Sequence, residues 1–454
     1  MVMESINPAT GEVVEVFEEL SDEQLGLALN ASERAGADWA GTPFPQRRDV
    51  LQRAAALLRE QKGELGALIT REMGKPVREA RAEVEKCAWV CEYYADEGEG
   101  FLADDPVASD ATRSYVRYAP LGTVLAVMPW NFPFWQVFRA AAPTLMAGNA
   151  MLLKHASNVP ACAARIEGLL DEAGLPVGVF QNLAIASSRV EAVIQDPRVR
   201  AVTLTGSEAA GRKVATTAGA ALKKSVLELG GSDPFIVLSD ADVEEAARVA
   251  ATARTINSGQ SCIAAKRFIV VDEVADAFVE RLQAHLQELA LGDPAEETTA
   301  IGPQARSDLR DELHRQVQDS VKAGARLLLG GEPTPGKGYF YPVTLLDGVA
   351  EGMPAADEET FGPLAPVIRV KDADAAVALA NRSRYGLGGA VWSQDREWAE
   401  AVGQRLEVGA VFINGMVKSD PRLPFGGVKA SGYGRELGAF GIREFTNIQT
   451  VWVG

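Results

Sequence analysis

From about residue 122 onward, short β-prone runs alternate with longer windows of helical periodicity, and this alternation restricts the fold more than any other feature. The series opens TVLAVM, WQVFRAAAPTLMAG, AMLLK, ACAARIEGLLDEAG and continues through VFQNLA, SSRVEAVIQD, AVTLT and AAGRKVATTAG. Strand–helix–strand spacing of this kind predicts a parallel sheet with helices on both faces. A second series starts after Gly230 and Gly231 and runs from PFIVL to GAVFING. Two α/β lobes are therefore expected, with a hinge near Leu227–Gly231. Residues 21–105 read as helices, through ALNASERAGADWA, RRDVLQRAAALLREQ and AEVEKCAWVCEYYADEG. Two further β-prone pieces, SYVRYAP at 114–120 and REFTNIQTVWVG at the C-terminus, lie outside both series. They predict either edge strands or an arm that extends a sheet in a neighbouring subunit. A chain of 454 residues is long enough for two or three domains.

Charge and cysteine usage narrow the function classes. Asp plus Glu (62) exceeds Lys plus Arg (45), for a net charge of −17. Phosphate backbones and anionic lipid repel such a chain, so neither nucleic acid nor a membrane surface is expected as a partner. The longest uncharged stretch, Ala119–Phe138, is broken by Pro129, Asn131, Pro133 and Gln136 and reads as buried protein rather than a membrane span. MVMESINPATGEVVE has neither the basic region nor the apolar core of a signal peptide, so a cytoplasmic, reducing location is expected. Four cysteines in this length make no disulfide framework. Three isolated histidines make no zinc site, and no metal is expected.

Cys87 and Cys91 lie in a helical window and Cys162 opens an apolar helix, so all three read as core. Cys262 differs. It sits in NSGQSCIAAKR, where a helix yields to a small, polar, glycine-containing turn that can present a thiolate to a pocket. On this segment alone, catalysis and structure stand level. A nucleophilic cysteine needs a base. Glu228, in VLELGGSDP, is a candidate if burial raises its pKa, with a structural ion pair as the alternative. TGSEAAG at 205–211 follows a strand and opens a helix, where free N–H groups bind anions, but it matches neither GxGxxG nor the P-loop. PWNFP puts Asn131 in a rigid turn after a strand, where its amide can donate to an oxyanion or simply bond the turn. Lys154 ends the next strand, at the sheet edge where open α/β folds bind ligands, or else is a solvated cation.

Taken in order, PWNFP, LLKHAS, LTGSEAAG, LELGGSDP, NSGQSC, EETFGP, INGM and LPFGGVKASGYGRELG resemble the aldehyde dehydrogenase superfamily over essentially the whole chain. Within it, the chain is most similar to the succinate semialdehyde type. The resemblance implies an α/β fold of two parallel-sheet lobes with a small oligomerisation element. It implies a cofactor domain over 1–109 and 123–229, a catalytic domain over 230–430, and oligomer contacts at 110–122 and 431–454.

For chemistry, the resemblance implies Cys262 as the nucleophile, Asn131 with the Cys262 N–H as the oxyanion hole, and Glu228 as the base for hydrolysis. Glu228 argues against transfer to coenzyme A, which branches lacking this glutamate perform. Trp130, Lys154, Gly206, Ser207, Leu229, Glu359 and Phe361 match cofactor contacts. Where NAD-preferring members often carry a glutamate three residues after the strand-ending lysine, this chain has Ser157, so NADP is expected to be preferred and NAD accepted. His155 stands where proline is frequent, and Ala264 removes a second cysteine that silences some members by disulfide formation. Arg139, in the helix opened by PWNFP, is expected to fork onto the far carboxylate of succinate semialdehyde, with an internal salt bridge to a glutamate as its alternative. Ser419 and Trp135 complete the expected substrate contacts. The implied reaction is oxidation of succinate semialdehyde to succinate with NADP or NAD. The alternative is another semialdehyde or aliphatic aldehyde. A homodimer or homotetramer is expected.

Overall fold

The computed structural model describes residues 2–454. Five strands of a six-stranded sheet run parallel, in the spatial order Lys224–Glu228, Val199–Thr205, Thr123–Met128, Ala150–His155, Phe180–Asn182. Gly432–Tyr433 adds an antiparallel edge on Lys224–Glu228. The chain crosses to a seven-stranded sheet between Glu228 and Asp233. That sheet is parallel through Thr344–Asp347, Leu364–Val370, Ala265–Val271, Asp233–Val237, Gly388–Trp392 and Ala410–Ile413, and Arg326–Leu329 closes one edge antiparallel.

Each lobe therefore carries one antiparallel edge strand that the alternating pattern does not predict. Both edge strands are short; Gly432–Tyr433 arrives from a loop, and a loop rather than a helix joins Arg326–Leu329 to its partner Thr344–Asp347, so parallel pairing is not imposed. Residues 432–433, expected with the oligomerisation element, instead belong to the first sheet.

The predicted helical region is four helices, Asp22–Ala40, Phe44–Glu60, Lys62–Met73 and Val77–Phe101. In the last, Val77, Ala80, Val84, Cys87, Cys91 and Tyr94 recur at three- and four-residue spacing and are all buried. They pack on Trp135–Met146, a helix buried along its whole length. The uncharged stretch read as buried protein is the strand Thr123–Met128 and the opening of that helix. Phe134 and Phe138 stack there, each contributing about 2–3 kcal/mol through burial. Among the described residues no helix is long and apolar enough to cross a membrane.

Arg113–Pro120 and Thr446–Val453 pair antiparallel over eight residues each, with Asp105–Pro106 on the far side of the former. The two β-prone pieces thus pair with each other. Among the described residues, the outer edge of Thr446–Val453 has no partner strand.

Candidate active site

In the first sheet the chain starts at Thr123–Met128, moves outward to one side, then returns to place Val199–Thr205 on the other. Such a reversal leaves a crevice at the carboxyl ends of the two diverging strands. The cleft found there, about 340 Å³, is lined by Trp130, Asn131, Gly206, Ser207, Leu229, Glu359 and Phe361. That size is typical of small-molecule sites, about 300–1,000 Å³. The Trp130 and Phe361 rings stand nearly perpendicular, 5.7 Å apart. Ser207 caps the helix Glu208–Ala220 by accepting from the Ala210 N–H, so the cleft meets a helix N-terminus.

The turn 129–134 is held from two sides. Glu83 accepts from the Phe134 and Trp135 N–H groups, both at 2.9 Å, and ion-pairs with Lys75. His155 Nε2 lies 2.8 Å from the Pro133 carbonyl, while its Nδ1 accepts from the Ala156 N–H. Nδ1 also lies 3.2 Å from the Met128 carbonyl, and burial pushes this imidazole down to about 4, so it is neutral. His155 thus secures the loop by a side-chain hydrogen bond that a proline at this position would lack.

Cys262 follows a turn of three successive left-handed residues, Asn257 (φ 55°), Ser258 (φ 53°) and Gly259 (φ 77°). The two non-glycine residues cost about 1–2 kcal/mol each in this conformation. A Cβ at Gly259 would meet Gly362 backbone at 2.3 Å, so only glycine lets the two loops touch. Long-range bonds hold the turn. Glu79 accepts from the Asn257 N–H (2.6 Å), and the Asn257 amide donates to the Asn131 carbonyl (2.6 Å). Arg254 donates to the carbonyls of Gly259, Thr360, Ala265 and Gly362, stapling the cysteine loop to EETFGP. Lys266 donates to the carbonyls of Cys262 (2.8 Å) and Gly231 (2.7 Å) and pairs with Glu359 (3.0 Å). Asn131 gives one amide hydrogen to Gln260 O (3.1 Å), and the amide carries a second.

Cys262 lines the cleft and also a second cavity of about 190 Å³, walled by Phe132, Trp135, Val417, Ser419 and Phe425. Burial, and then Glu228, push its thiol up to about 12, against the pull of Lys266 and Arg139. The resting sulfur is therefore protonated. Glu228 ends its strand with a carboxyl that is 2% exposed. Burial raises its pKa well above the carboxylate range, Arg139 at 3.9 Å lowers it, and Glu436 raises it again. A raised carboxyl can hold and release a proton near neutrality.

Arg139 is placed otherwise than expected. Its Nε lies 2.6 Å from Glu436, Nη2 donates to Thr205 Oγ1 (3.2 Å), and the guanidinium is buried at 2% exposure. The alternative of an internal salt bridge describes it, because the two buried glutamates demand a cation. It still borders the second cavity, as do Trp135 and Ser419. Lys154 and Ser157 lie apart from the lining of both cavities, at the end of Ala150–His155 and just beyond. Lys154 is buried, 3.4 Å from Ser187 Oγ, and Ser157 is exposed.

Sequence reasoning missed Lys266, Arg254, Asn257, Glu79, Glu83 and Lys86. The first two are cations in otherwise apolar runs, which is a usable signal, since an unpaired buried charge is costly. The others carry no local mark.

A profile of the aldehyde dehydrogenase family matches residues 1–451. The chain is 50% identical over 453 residues to a probable NADP(+) succinate-semialdehyde dehydrogenase of Synechocystis sp., covering all of both chains. It is 49% identical over 448 residues to an NAD(P)+ succinate semialdehyde dehydrogenase of Escherichia coli K12, covering 99% of this chain and 97% of that one. The crystal structure of succinic semialdehyde dehydrogenase from Streptococcus pyogenes in complex with NADP+ superposes with a TM-score of 0.97, at 38% identity and 99% coverage of each chain.

Proposed function

The chain belongs to the aldehyde dehydrogenase family, and from that premise we propose that it oxidises succinate semialdehyde to succinate with NADP as the preferred acceptor and NAD also used. One observation carries the reading. Cys262 lies at the junction of two cavities, one in the crevice where this fold takes a cofactor, the other apolar and edged with cationic and hydroxyl groups.

In this reading the Cys262 sulfur adds to the aldehyde carbon as its proton is lost to solvent. The product is a thiohemiacetal whose oxyanion faces the second Asn131 N–H and the Cys262 N–H. The nicotinamide, when bound, supplies the hydride acceptor. Glu228 then removes a proton from water as it attacks the Cys262 thioester and returns it to the departing sulfur, which releases the acid and restores both the thiol and the base. Lys266 holds the Cys262 carbonyl beside Glu359, Arg254 ties the cysteine loop to Thr360 and Gly362, and Asn257 ties it to Asn131.

The cleft residues fit a dinucleotide. Trp130 and Phe361 offer apolar faces, Gly206 and Ser207 offer a helix N-terminus, and Leu229 and Glu359 line the same space. Ser157 leaves no carboxylate to repel a 2′-phosphate, and Lys154 lies near enough in sequence to attract one. The cofactor lobe comprises 1–109 and 123–229, and the catalytic lobe 230–430. The antiparallel sheet at 113–120 and 446–453, with Ile448 and Trp452 exposed at 64% and 56%, is the contact of a homodimer or tetramer. A reducing cytoplasm suits four free thiols.

The engagement of Arg139 with Glu436 favours a second reading, a neutral aliphatic aldehyde. Formation of NADPH and NADH with succinate semialdehyde and with butyraldehyde separates the two. The first reading expects the highest kcat/KM for succinate semialdehyde with NADP. Preference for butyraldehyde would overturn it.

A further inference from the structure

The ammonium of Lys266 carries three hydrogens, and the structure gives each its own acceptor. Nζ donates to the Gly231 carbonyl (2.7 Å), the Cys262 carbonyl (2.8 Å) and Glu359 Oε1 (3.0 Å). These acceptors belong to the crossover between the lobes, the nucleophile's loop and the wall of the cofactor cleft. The Lys266 side chain is fully buried, 5.5 Å from the Phe361 ring of that same wall. The Gly231 N–H also donates to Glu359 Oε1 (3.0 Å), so crossover, ammonium and carboxylate close a triangle. A Cβ at Gly231 would come within 2.6 Å of the Cys262 carbonyl, so glycine is what lets these segments meet on one ammonium. Glu359 Oε1 thus holds two donors. Among the described residues Oε2 holds none, and the side chain keeps 20% of its surface exposed where it lines the cleft.

We propose that Lys266 is a positioning residue that couples the filling of the cofactor cleft at Glu359 to the reactivity of Cys262. This rests on the cofactor reading of the cleft given above.

The charges set the direction of the coupling. A carboxylate with no donor on Oε2 gives its full charge to Lys266 and the Gly231 N–H. Hydroxyl donors on Oε2 spread that charge and loosen its hold on the ammonium, whose field then acts more strongly on the sulfur. Around Cys262, burial and Glu228 hold the thiol up, Lys266 and Arg139 lower it, and Glu359 raises it. Asp233, pushed up to about 7 by burial, also feels Lys266, but its Oδ1 accepts from the Gly388 N–H and not from the ammonium. Donors arriving at Glu359 therefore favour the thiolate, the form that attacks carbon. Hydride transfer from a Cys262 adduct requires the nicotinamide end of the cofactor at this end of the cleft. The coupling thus readies the nucleophile when its hydride acceptor is in place.

The test is the rate at which iodoacetamide alkylates Cys262 at neutral pH, read by peptide mass spectrometry with no aldehyde present. In the wild type, saturating NADP is expected to speed alkylation by about 5-fold or more, the lower range of coupling between two sites. Adenosine 2′,5′-bisphosphate, which lacks the nicotinamide end, is expected to leave the rate unchanged. Lys266→Met is expected to abolish the NADP effect. Glu359→Gln, whose amide carries no charge to hold the ammonium, is expected to alkylate faster than the wild type before NADP is added and to gain little from it. No acceleration in the wild type, equal acceleration by the fragment, or a full NADP effect in Lys266→Met would overturn the coupling. So would an unchanged starting rate in Glu359→Gln, the variant that decides the matter if Lys266→Met does not fold. Calorimetry that finds no NADP binding to the wild type would instead defeat the cofactor reading on which the proposal rests.

Discussion

Replacing Glu228 by Gln should split the reaction in two. The side chain keeps its volume but can no longer take a proton from water. Removing a general base costs about 10²–10⁴-fold, and no other free carboxylate replaces it, because Glu436 is held 2.6 Å from Arg139 Nε. Hydride transfer precedes hydrolysis, so Glu228→Gln should release one NADPH per Cys262 in a fast phase and then turn over about 10²–10⁴-fold more slowly than wild type. Stability should not fall with activity. Burial raises the native pKa of Glu228 above its unfolded value, so the native state holds that proton more tightly. The resulting stabilisation is present below the ordinary carboxylate range and is lost as pH rises toward the raised value. The wild type therefore carries a buried charge at alkaline pH that the glutamine variant lacks, and the variant should be at least as resistant to urea there. Stopped-flow absorbance with succinate semialdehyde and NADP measures both phases. Loss of the fast phase in step with the slow one would refute the reasoning, since Glu228 would then act before hydride transfer.

Other predictions use different parts of the site. With butyraldehyde, kcat should rise with pH as Glu228 loses its proton. A kcat that stays flat through and above neutral pH would count against this. Arg254→Met should cost about 3 kcal/mol or more in urea unfolding, because buried carbonyls lose donors worth about 1–3 kcal/mol each. Ser157→Glu should lower kcat/KM for NADP by about 30-fold, from about 2 kcal/mol of repulsion between a carboxylate and a dianionic phosphate in water, and leave NAD nearly untouched; an equal loss for both cofactors would show only local damage.

The residues legible in the sequence are those where backbone and chemistry coincide. Cys262, Asn131, Ser207 and Glu228 sit at strand ends or turns, where glycine and proline mark the break in periodicity. The parallel lobes were legible for the same reason, through alternating strand and helix periods. The antiparallel edges were not: Gly432–Tyr433 is too short to show a period, and the run over Arg326–Leu329, legible as a strand of the second series, carries nothing that sets its direction. Lys86 lies between Glu85 and Cys87 in a helix whose pattern reads as core, and its neighbours Trp135 and Ser419 come from distant segments. The binding of Arg139 by Glu436 depends on elements almost three hundred residues apart, which no local pattern encodes. Arg254 and Lys266 act on carbonyl oxygens, which every residue has, so their partners leave no trace in composition.

The central claim is that a covalent acyl group forms on Cys262 and nowhere else. Acid quenching of Glu228→Gln with succinate semialdehyde and NADP, followed by peptide mapping, tests it directly. The account predicts a succinyl thioester on Cys262 with Cys87, Cys91 and Cys162 unmodified, since all three are buried and line neither of the cavities that Cys262 borders. NADPH formation with no acyl group on Cys262 would contradict it.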